Sequence, residues 1–531
     1  MPTVREATFD LFRKLGMTTI FGNPGSTELP MLADYPDDFE YVLGLQEAAV
    51  VGMADGHAQV TGKPTLVNLH TAPGLGNGVG ALFNAQANHS PVVVTVGQQV
   101  RAQVTMQANL TNRDAIRVPD PFVKYSYEPA RAEDVPLALA HAVHLAATPP
   151  MGPVMVSIPM DDWDVEMDAA EAQNVIDRAV SGRTGADPAA ITGLAARLKD
   201  AKNPVLVAGP DIDAAGGWEE AIALAEGQNL PVWASPATGG GRLGFPESHP
   251  HWRGVLPPGI AAVSEVLKEH DLILVVGSSV FPYYPYMPGP FLGEDSSLVQ
   301  ITSDPDEAAR APMGEAIISD VKLAMAALNG ELDGTDRPAV EPWPGPTRIE
   351  ETDPLNPSTV MNTLKQVLPE DAVIVLEAPT STMALRNQLR ISKPNSYFFG
   401  AGGGLGFGLS AAVGIGYAED RPVVCVLGEG SVQYAVTAFW TAAAYDVPVT
   451  FLILRNEEYG ILKWFAEVEQ VSDAPGLDLP ALETTKIAEG YGIESTTVSS
   501  AEEVEAALKE AIADSKPRLV EVPVEPGMSL F

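Results

Sequence analysis

A chain of 531 residues is longer than one hydrophobic core usually organises, so about two to four domains of roughly 100 to 200 residues are expected. Its 32 basic and 69 acidic side chains give a formal charge of -37, which repels nucleic acid and anionic membrane surfaces on average and leaves a solvated acidic shell as the simplest reading. The one cysteine, Cys425, lies in the apolar run VVCV, so an intrachain disulfide is excluded and a thiolate metal site is not expected.

The N-terminal stretch MPTVREATFDLFRKLGMTTIFG scatters charges through a helical pattern and lacks the apolar core of a signal peptide, which points to a cytoplasmic protein. The stretches 64–100 and 394–418 carry no Asp, Glu, Lys or Arg, but their Gly, Asn, Pro and Ser spoil a membrane helix, so they read as buried core or subunit contact. Residues 1–165 alternate helix and strand. The helix TVREATFDLFRKLG leads to strand TTIFG, the turn Asn23-Pro24-Gly25-Ser26 and a helix from about Glu28. Strand YVLGL, a helix opening at Gln46-Glu47, strand TLVNLH, a glycine-rich turn into a helix, and strand PVVVTVG follow. Strands separated by helices imply parallel pairing, and ligands of such sheets bind at the carboxyl edge, where Ser26, Glu47 and His70 fall. Each alone has a structural explanation as a cap or a partner for the helix dipole; the three together suggest a site.

The acidic run MDDWDVEMDAAEAQN, from Met160, reads as a linker. Residues 185–335 form a second alternating unit, with strands in PVLVAG, PVWAS, HDLILVVG and SLVQITSD. His249 and His251 have a spacing that a metal site can use, yet they stand in a turn with two prolines, which explains them more simply. The proline-rich segment RPAVEPWPGPTRIEETDPLNP then separates a third unit, 355–531.

In that unit, strand AVIVLEAPTST is followed by the glycine cluster FFGAGGGLGFGLSAAVGIG, whose glycines suit either close helix packing or close approach of backbone to a cofactor. None fits G-x-G-x-x-G cleanly, which argues against a nicotinamide site. Next, RPVVCVLGEGSVQYAVTAFWTAAAYDVPVTFLILRNEEYGILKWF reads as a strand ending in Gly428-Glu429-Gly430, a small-residue helix, and a strand ending in Arg455-Asn456-Glu457-Glu458. Carboxylate and amide oxygens brought together at one sheet edge suit a hard divalent cation and a phosphate held by it.

Ser26 in GNPGS, Glu47 in LQEAAVVGMADGHAQ, His70 in NLHTAPGLGNGVGAL, the GGGLGFGL cluster, and Gly428-Glu429-Gly430 with Asn456 resemble thiamine-diphosphate-dependent 2-oxo acid decarboxylases, and among these the benzoylformate decarboxylases. The resemblance spans almost the whole chain. It implies three doubly wound α/β domains with mostly parallel sheets: pyrimidine-binding, central and diphosphate-binding. It also implies a dimer or tetramer with active sites between subunits, and thiamine diphosphate with Mg2+ as cofactors.

By motif, Glu47 resembles the glutamate that hydrogen-bonds the cofactor's aminopyrimidine, where burial would raise its pKa toward neutrality. Leu405 matches the side chain that wedges the cofactor into a bent form, and Gly403 the carbonyl that accepts from its amino group. Thr380 matches a diphosphate contact, Gly428, Gly430 and Ser431 match further cofactor-binding positions, and Glu429, Asn456 and the Glu458 carbonyl match the metal ligands. Ser26 matches the group that holds the substrate carboxylate, and His70 the proton donor to the developing alkoxide. Tyr284, Leu462 and Phe465 match the walls of the substrate pocket, which favours an aryl or other bulky apolar group.

The sequence departs from the family pattern at three points. Glu429 replaces an aspartate, Arg455 replaces the first of two asparagines, and Tyr284 falls where benzoylformate decarboxylases carry a second histidine. Phenols titrate near ~10 and imidazoles near ~6.5, so a tyrosine is poorly suited to shuttle protons at neutral pH. Carboligation or lyase chemistry to 2-hydroxy ketones is therefore the alternative to decarboxylation, and a non-catalytic binding protein is a third reading.

Overall fold

The computed structural model describes residues 1–236, 241–281, 284–343 and 349–528, so part of the proline-rich segment and the two residues before Tyr284 lie outside the described residues. Apolar runs such as TLVNL, VVVTVGQ, VMVSIP, LILVV and VIVLE are buried along their whole length, as strands covered on both faces must be. They build three six-stranded sheets in which the strand pairs are parallel.

The first sheet uses β1 Thr19–Asn23, β2 Glu40–Leu43, β3 Thr65–Leu69, β4 Val92–Gln98, β5 Tyr125–Tyr127 and β6 Val154–Pro159, in the order 2-1-3-4-6-5. The second uses β7 Pro204–Ala208, β8 Val232–Ala234, β9 Trp252–Val255, β10 Leu272–Val276, β11 Ser297–Thr302 and β12 Glu315–Ile318, in the order 12-11-10-7-8-9. The third uses β13 Val373–Glu377, β14 Tyr397–Phe399, β15 Val423–Gly428, β16 Val449–Arg455, β17 Glu494–Thr497 and β18 Arg518–Pro523, in the order 14-13-15-16-18-17. The outer two sheets thus repeat one topology, and each reverses winding between its first and third strands. That reversal opens a crevice at the carboxyl edge.

The outer units dock through two helices that are buried nearly all round, α1 Glu47–Thr61 and α3 Phe407–Ala418; α2 Thr71–Ala87 packs beside α1. Small residues set the approach of α1 and α3. A Cβ on Gly56 would stand 2.3 Å from the Ala411 carbonyl oxygen, and one on Gly414 would stand 1.8 Å from that of Met53. The glycines of the third unit therefore serve close packing in part, as well as any ligand.

One expectation is overturned. The acidic run from Met160 is not a free linker: Trp163 and Met167 are each 3 % exposed in the first core, and Ala169–Asp177 is helical. Backbone bonds from Val4 to the Val165 carbonyl, from Arg5 to Trp163 and from Met167 to Pro2 fasten it to the N-terminal helix. Two apolar anchors outweigh the polar composition around them. The uncharged stretches 64–100 and 394–418 lie largely in buried strands and helices, and no described helix is long and apolar enough to cross a membrane.

Candidate active site

Two half-sites stand at the carboxyl edges of the outer sheets. In the first, β1 delivers the turn Asn23–Ser26 and β3 delivers His70, side by side at the winding reversal. Glu47 opens α1, and its two carboxylate oxygens accept from Asn23 Nδ2 at 3.2 Å and Asn77 Nδ2 at 3.0 Å. Gly74, on the first turn of α2, leaves space between Glu47 and His70: its Cβ would stand 3.3 Å from Glu47 Oε1 and 3.5 Å from His70 Cβ. Ser26 is exposed beside them.

His70 has a partner that the sequence reading missed. Its Nδ1 is 2.8 Å from Glu28 Oε2 and 3.1 Å from Thr27 Oγ1. Glu28 is 2 % exposed and also accepts from the Gly25 amide at 2.8 Å and the Thr27 hydroxyl at 2.7 Å. A carboxylate already accepting two donors receives the Nδ1 proton as well, which leaves Nε2 as the nitrogen free to act outward. Two glycines make room: a Cβ on Gly25 would stand 2.1 Å from His70 Nδ1, and one on Gly97 would stand 1.8 Å from Glu28 Oε1. The signal in the sequence was a glutamate three residues after a turn glycine, a spacing at which a side chain reaches back to a free amide.

In the second half-site, the ends of β13, β15 and β16 meet in a cleft lined by Thr380, Leu405, Gly428, Glu429, Gly430, Ser431, Asn456 and Glu458. The cluster assigned from motifs to phosphate and metal is therefore one place in space. Glu429 is 2 % exposed, and its Oε1 accepts from the Glu457 amide at 2.6 Å. Burial pushes its carboxyl up, and backbone amides of the same loops pull it back. The Glu458 side chain is turned away: Lys463 Nζ lies 2.5 Å from its Oε2, and the Gly527 amide donates to its Oε1 at 2.7 Å. Its backbone carbonyl is what remains for a cation. Arg455 bonds Glu457 and Glu521 and leaves the position of Asn456 undisturbed.

Glu429→Ala is expected to weaken Mg2+-dependent ligand binding at least ~100-fold by removing the only carboxylate of the donor set, and Glu429→Asp by ~10-fold, because the shorter chain leaves the Glu457 amide unpaired. Titration calorimetry with Mg2+ and diphosphate reads both; an Asp variant that binds more tightly than the wild type contradicts the argument.

Leu405 and Pro379 also line a cavity of about 550 Å³, walled by Leu256, Tyr284, Met383, Trp464, Phe465 and Met528. The Tyr284 and Phe465 rings lie 5.0 Å apart at 41°, and Trp464 meets Phe465 edge-on at 4.9 Å. Leu462, assigned to the same pocket, is 45 % exposed and stands outside this lining. Glu377 also faces the cavity. Burial pushes its carboxyl up to about 8 against the pull of three backbone amides. Trp464, Met383 and Glu377 were missed because nothing local marks a residue whose partners arrive from other strands.

Among the described residues, no side chain of 1–165 lines either cavity of the third unit, so Ser26, Glu47 and His70 do not complete the site of their own chain. The corresponding crevice of the central sheet is largely filled. His89, from the first unit, lies 3.0 Å from Asp211, and the space left beside them and Glu307 is about 30 Å³. His249 bonds Glu226 at 3.1 Å and packs its ring edge-on against His251.

Residues 2–117 and 378–522 match the N-terminal and C-terminal TPP-binding domains of thiamine pyrophosphate enzymes, and residues 191–328 match the central domain of the same enzymes. The chain is 48 % identical over 527 residues to a benzoylformate decarboxylase of Pseudomonas aeruginosa, covering 99 % of both. It is 26 % identical to the large subunit of acetolactate synthase isozyme 3 of Escherichia coli, covering 94 % of this chain and 90 % of that one. Among solved structures, a thiamine diphosphate-dependent 4-hydroxybenzoylformate decarboxylase of Rhodococcus jostii RHA1 superposes with a TM-score of 0.97 at 44 % identity, covering 99 % of this chain and 100 % of that one. A benzoylformate decarboxylase of Polynucleobacter necessarius gives 0.97 at 41 % identity, with both chains wholly covered.

Proposed function

Because the chain belongs to the thiamine pyrophosphate enzyme family, as a thiamine-diphosphate-dependent 2-oxo acid decarboxylase, we propose that it converts an aryl 2-oxo acid of the benzoylformate kind to the aldehyde and carbon dioxide. The observation that carries the substrate class is the aromatic cavity. Tyr284, Trp464 and Phe465 present ring faces and edges beside the Gly403–Leu405 segment, a surface suited to an aromatic ring.

The residues present fit the cofactor. Gly403 has a φ of +72° and open space where a Cβ would stand, and a Cβ on Gly428 would meet only Ser431 Oγ at 3.8 Å, so a ligand can lie close against both stretches of backbone. Glu429, the Asn456 side-chain oxygen and the Glu458 carbonyl are the hard oxygen donors that Mg2+ takes, and Thr380, Gly430 and Ser431 stand around the same cleft for the diphosphate. When bound, thiamine diphosphate supplies a nucleophilic carbon and an electron sink for the pair released with carbon dioxide.

The protein's own groups supply the proton chemistry and the orientation. Glu47, held by two asparagine amides, would exchange a proton with the aminopyrimidine. His70, with Nδ1 tied to Glu28, would have Nε2 free to give a proton to the substrate's carbonyl oxygen, and Ser26 would hold the substrate carboxylate. Since these three do not line the cavity of their own chain, they serve the site of a second copy; the working unit is a dimer or a pair of dimers, in the cytoplasm.

The test is a substrate panel on protein loaded with thiamine diphosphate and Mg2+. Benzoylformate should give benzaldehyde and carbon dioxide faster than pyruvate or branched 2-oxo acids react, and no turnover of any aryl member removes the proposal. A second reading rests on Tyr284, a phenol at the pocket wall where the family resemblance implies an imidazole. If release of the aldehyde is slowed there, benzaldehyde added to the assay is captured as a 2-hydroxy ketone, and Tyr284→His shifts the product ratio back toward free aldehyde.

A further inference from the structure

The glycine-rich segment from Ala401 to Gly408 is anchored on both sides of Leu405 by side chains that no assigned role uses. On one side, Asn84 of α2 is 4 % exposed and holds both backbone groups of a single residue: its Nδ2 donates to the Gly404 carbonyl at 2.9 Å, and its Oδ1 accepts from the Gly404 amide at 3.1 Å. One turn later, Asn88 Oδ1 accepts from the Ala401 amide at 2.9 Å, while its Nδ2 donates to the buried Asp55 at 2.8 Å. On the other side, Glu377 at the end of β13 accepts from the amides of Gly406, Phe407 and Gly408 at 2.7, 3.1 and 3.0 Å. These three amides would otherwise be unpaired donors at the start of α3.

The glycines fit the anchors. A Cβ on Gly402 or Gly404 would stand 2.7 or 2.8 Å from Asn84 Oδ1, and one on Gly408 would stand 2.5 Å from Glu377 Cβ. Gly406 has a φ of +101°, a turn that brings the chain from the first anchor to the second. Leu405, the residue between the anchors, lines both the phosphate cleft and the aromatic cavity, so its position sets the partition between them.

We propose that Asn84 and Glu377 are positioning residues that fix Leu405 and the Gly403 carbonyl as a rigid support for the organic part of the cofactor, independent of the diphosphate cradle. This rests on the reading of the cleft as a thiamine diphosphate site and adds two residues to it. Neither touches the phosphate or metal cluster at Glu429, Ser431 and Asn456, which lies at the ends of β15 and β16. Loss of an anchor should therefore let the wedge move while the cradle stays intact.

The experiment compares two probes on the full-length protein with Mg2+ present: thiamine diphosphate, and inorganic pyrophosphate, which uses the cradle alone. Asn84→Ala and Glu377→Gln are expected to weaken thiamine diphosphate at least 10-fold and pyrophosphate less than twofold. Asn84→Asp, which keeps the acceptor for the Gly404 amide, should recover part of the loss. Should Asn84→Ala fail to fold, the near-isosteric Asp and Gln variants carry the comparison. An equal loss for both probes would show a general disturbance of the cleft and overturn the proposal, as would no loss for either. Wild-type protein that binds pyrophosphate but not thiamine diphosphate removes the parent reading, and this inference with it.

Discussion

Glu47→Gln is expected to lower kcat by 10²- to 10⁴-fold, the range typical of a lost general acid or base. The substitution keeps volume and removes the ionisable oxygen. In the structure both carboxylate oxygens accept from side-chain amides, Asn23 Nδ2 and Asn77 Nδ2, so the site is built for an acceptor at both positions. A glutamine must turn its NH2 toward one of those two donors, and that contact is lost or becomes repulsive. Position changes little, because the residue remains at the start of α1, whose docking depends on Gly52, Gly56 and their neighbours further along. The defect should therefore appear in the rate of proton exchange and much less in stability. Deuterium exchange of the cofactor's reactive C–H, followed by NMR on loaded protein, separates proton transfer from substrate binding. Exchange at the wild-type rate in the Gln variant would show that Glu47 is a structural partner of the two asparagines and nothing more.

The His70 arrangement explains why single residues could be read from the chain and their partners could not. His70 announces itself, as a polar residue at the end of the apolar run TLVNL. Glu28 does not, because it lies 42 positions away in a turn and acquires meaning only when β1 and β3 pair. The same holds for Glu377 and Asn84, whose targets, Gly406 and Gly404, are 29 and 320 positions distant. Parallel sheets made the fold legible, since fully covered strands must be continuous apolar runs, and Gly428-Glu429-Gly430 closes one of them. Short edge strands such as β5 and β12, half-exposed and without such runs, carried no comparable pattern. The Met160 run misled for the converse reason. Composition averages over residues, whereas Trp163 and Met167 decide the outcome at two points.

The docking of α1 on α3 leads to the second large effect: Gly414→Val should destabilise the protein by at least ~3 kcal/mol, beyond the usual range for overpacking. A Cβ at 414 would stand 1.8 Å from the Met53 carbonyl oxygen and 2.7 Å from its carbon, so the obstacle is backbone, which no rotamer change can move aside. The helices must separate, and with them the Gly56–Ala411 contact, where the first added atom would again meet backbone at 2.3 Å. The outer two units share this seam, since side chains of both α1 and α3 belong to one cluster with β15 and β16. Function should fall with stability, because Gly406 and the first two residues of α3 supply the three amides that Glu377 holds, and any rotation of that helix is passed to Leu405. Gly193→Ala is the control. It also replaces a helical glycine, but in Pro188–Asp200 with nothing within 4 Å of the new atom, and removal of unfolded-state freedom there should stabilise by about 0.4–1 kcal/mol. Calorimetric scans and thiamine diphosphate titrations of the two variants give opposite signs if backbone contact at the seam is what matters. A Gly414→Val protein as stable as the Gly193→Ala control would mean that α1 and α3 can part without cost and that the glycines are there for another reason.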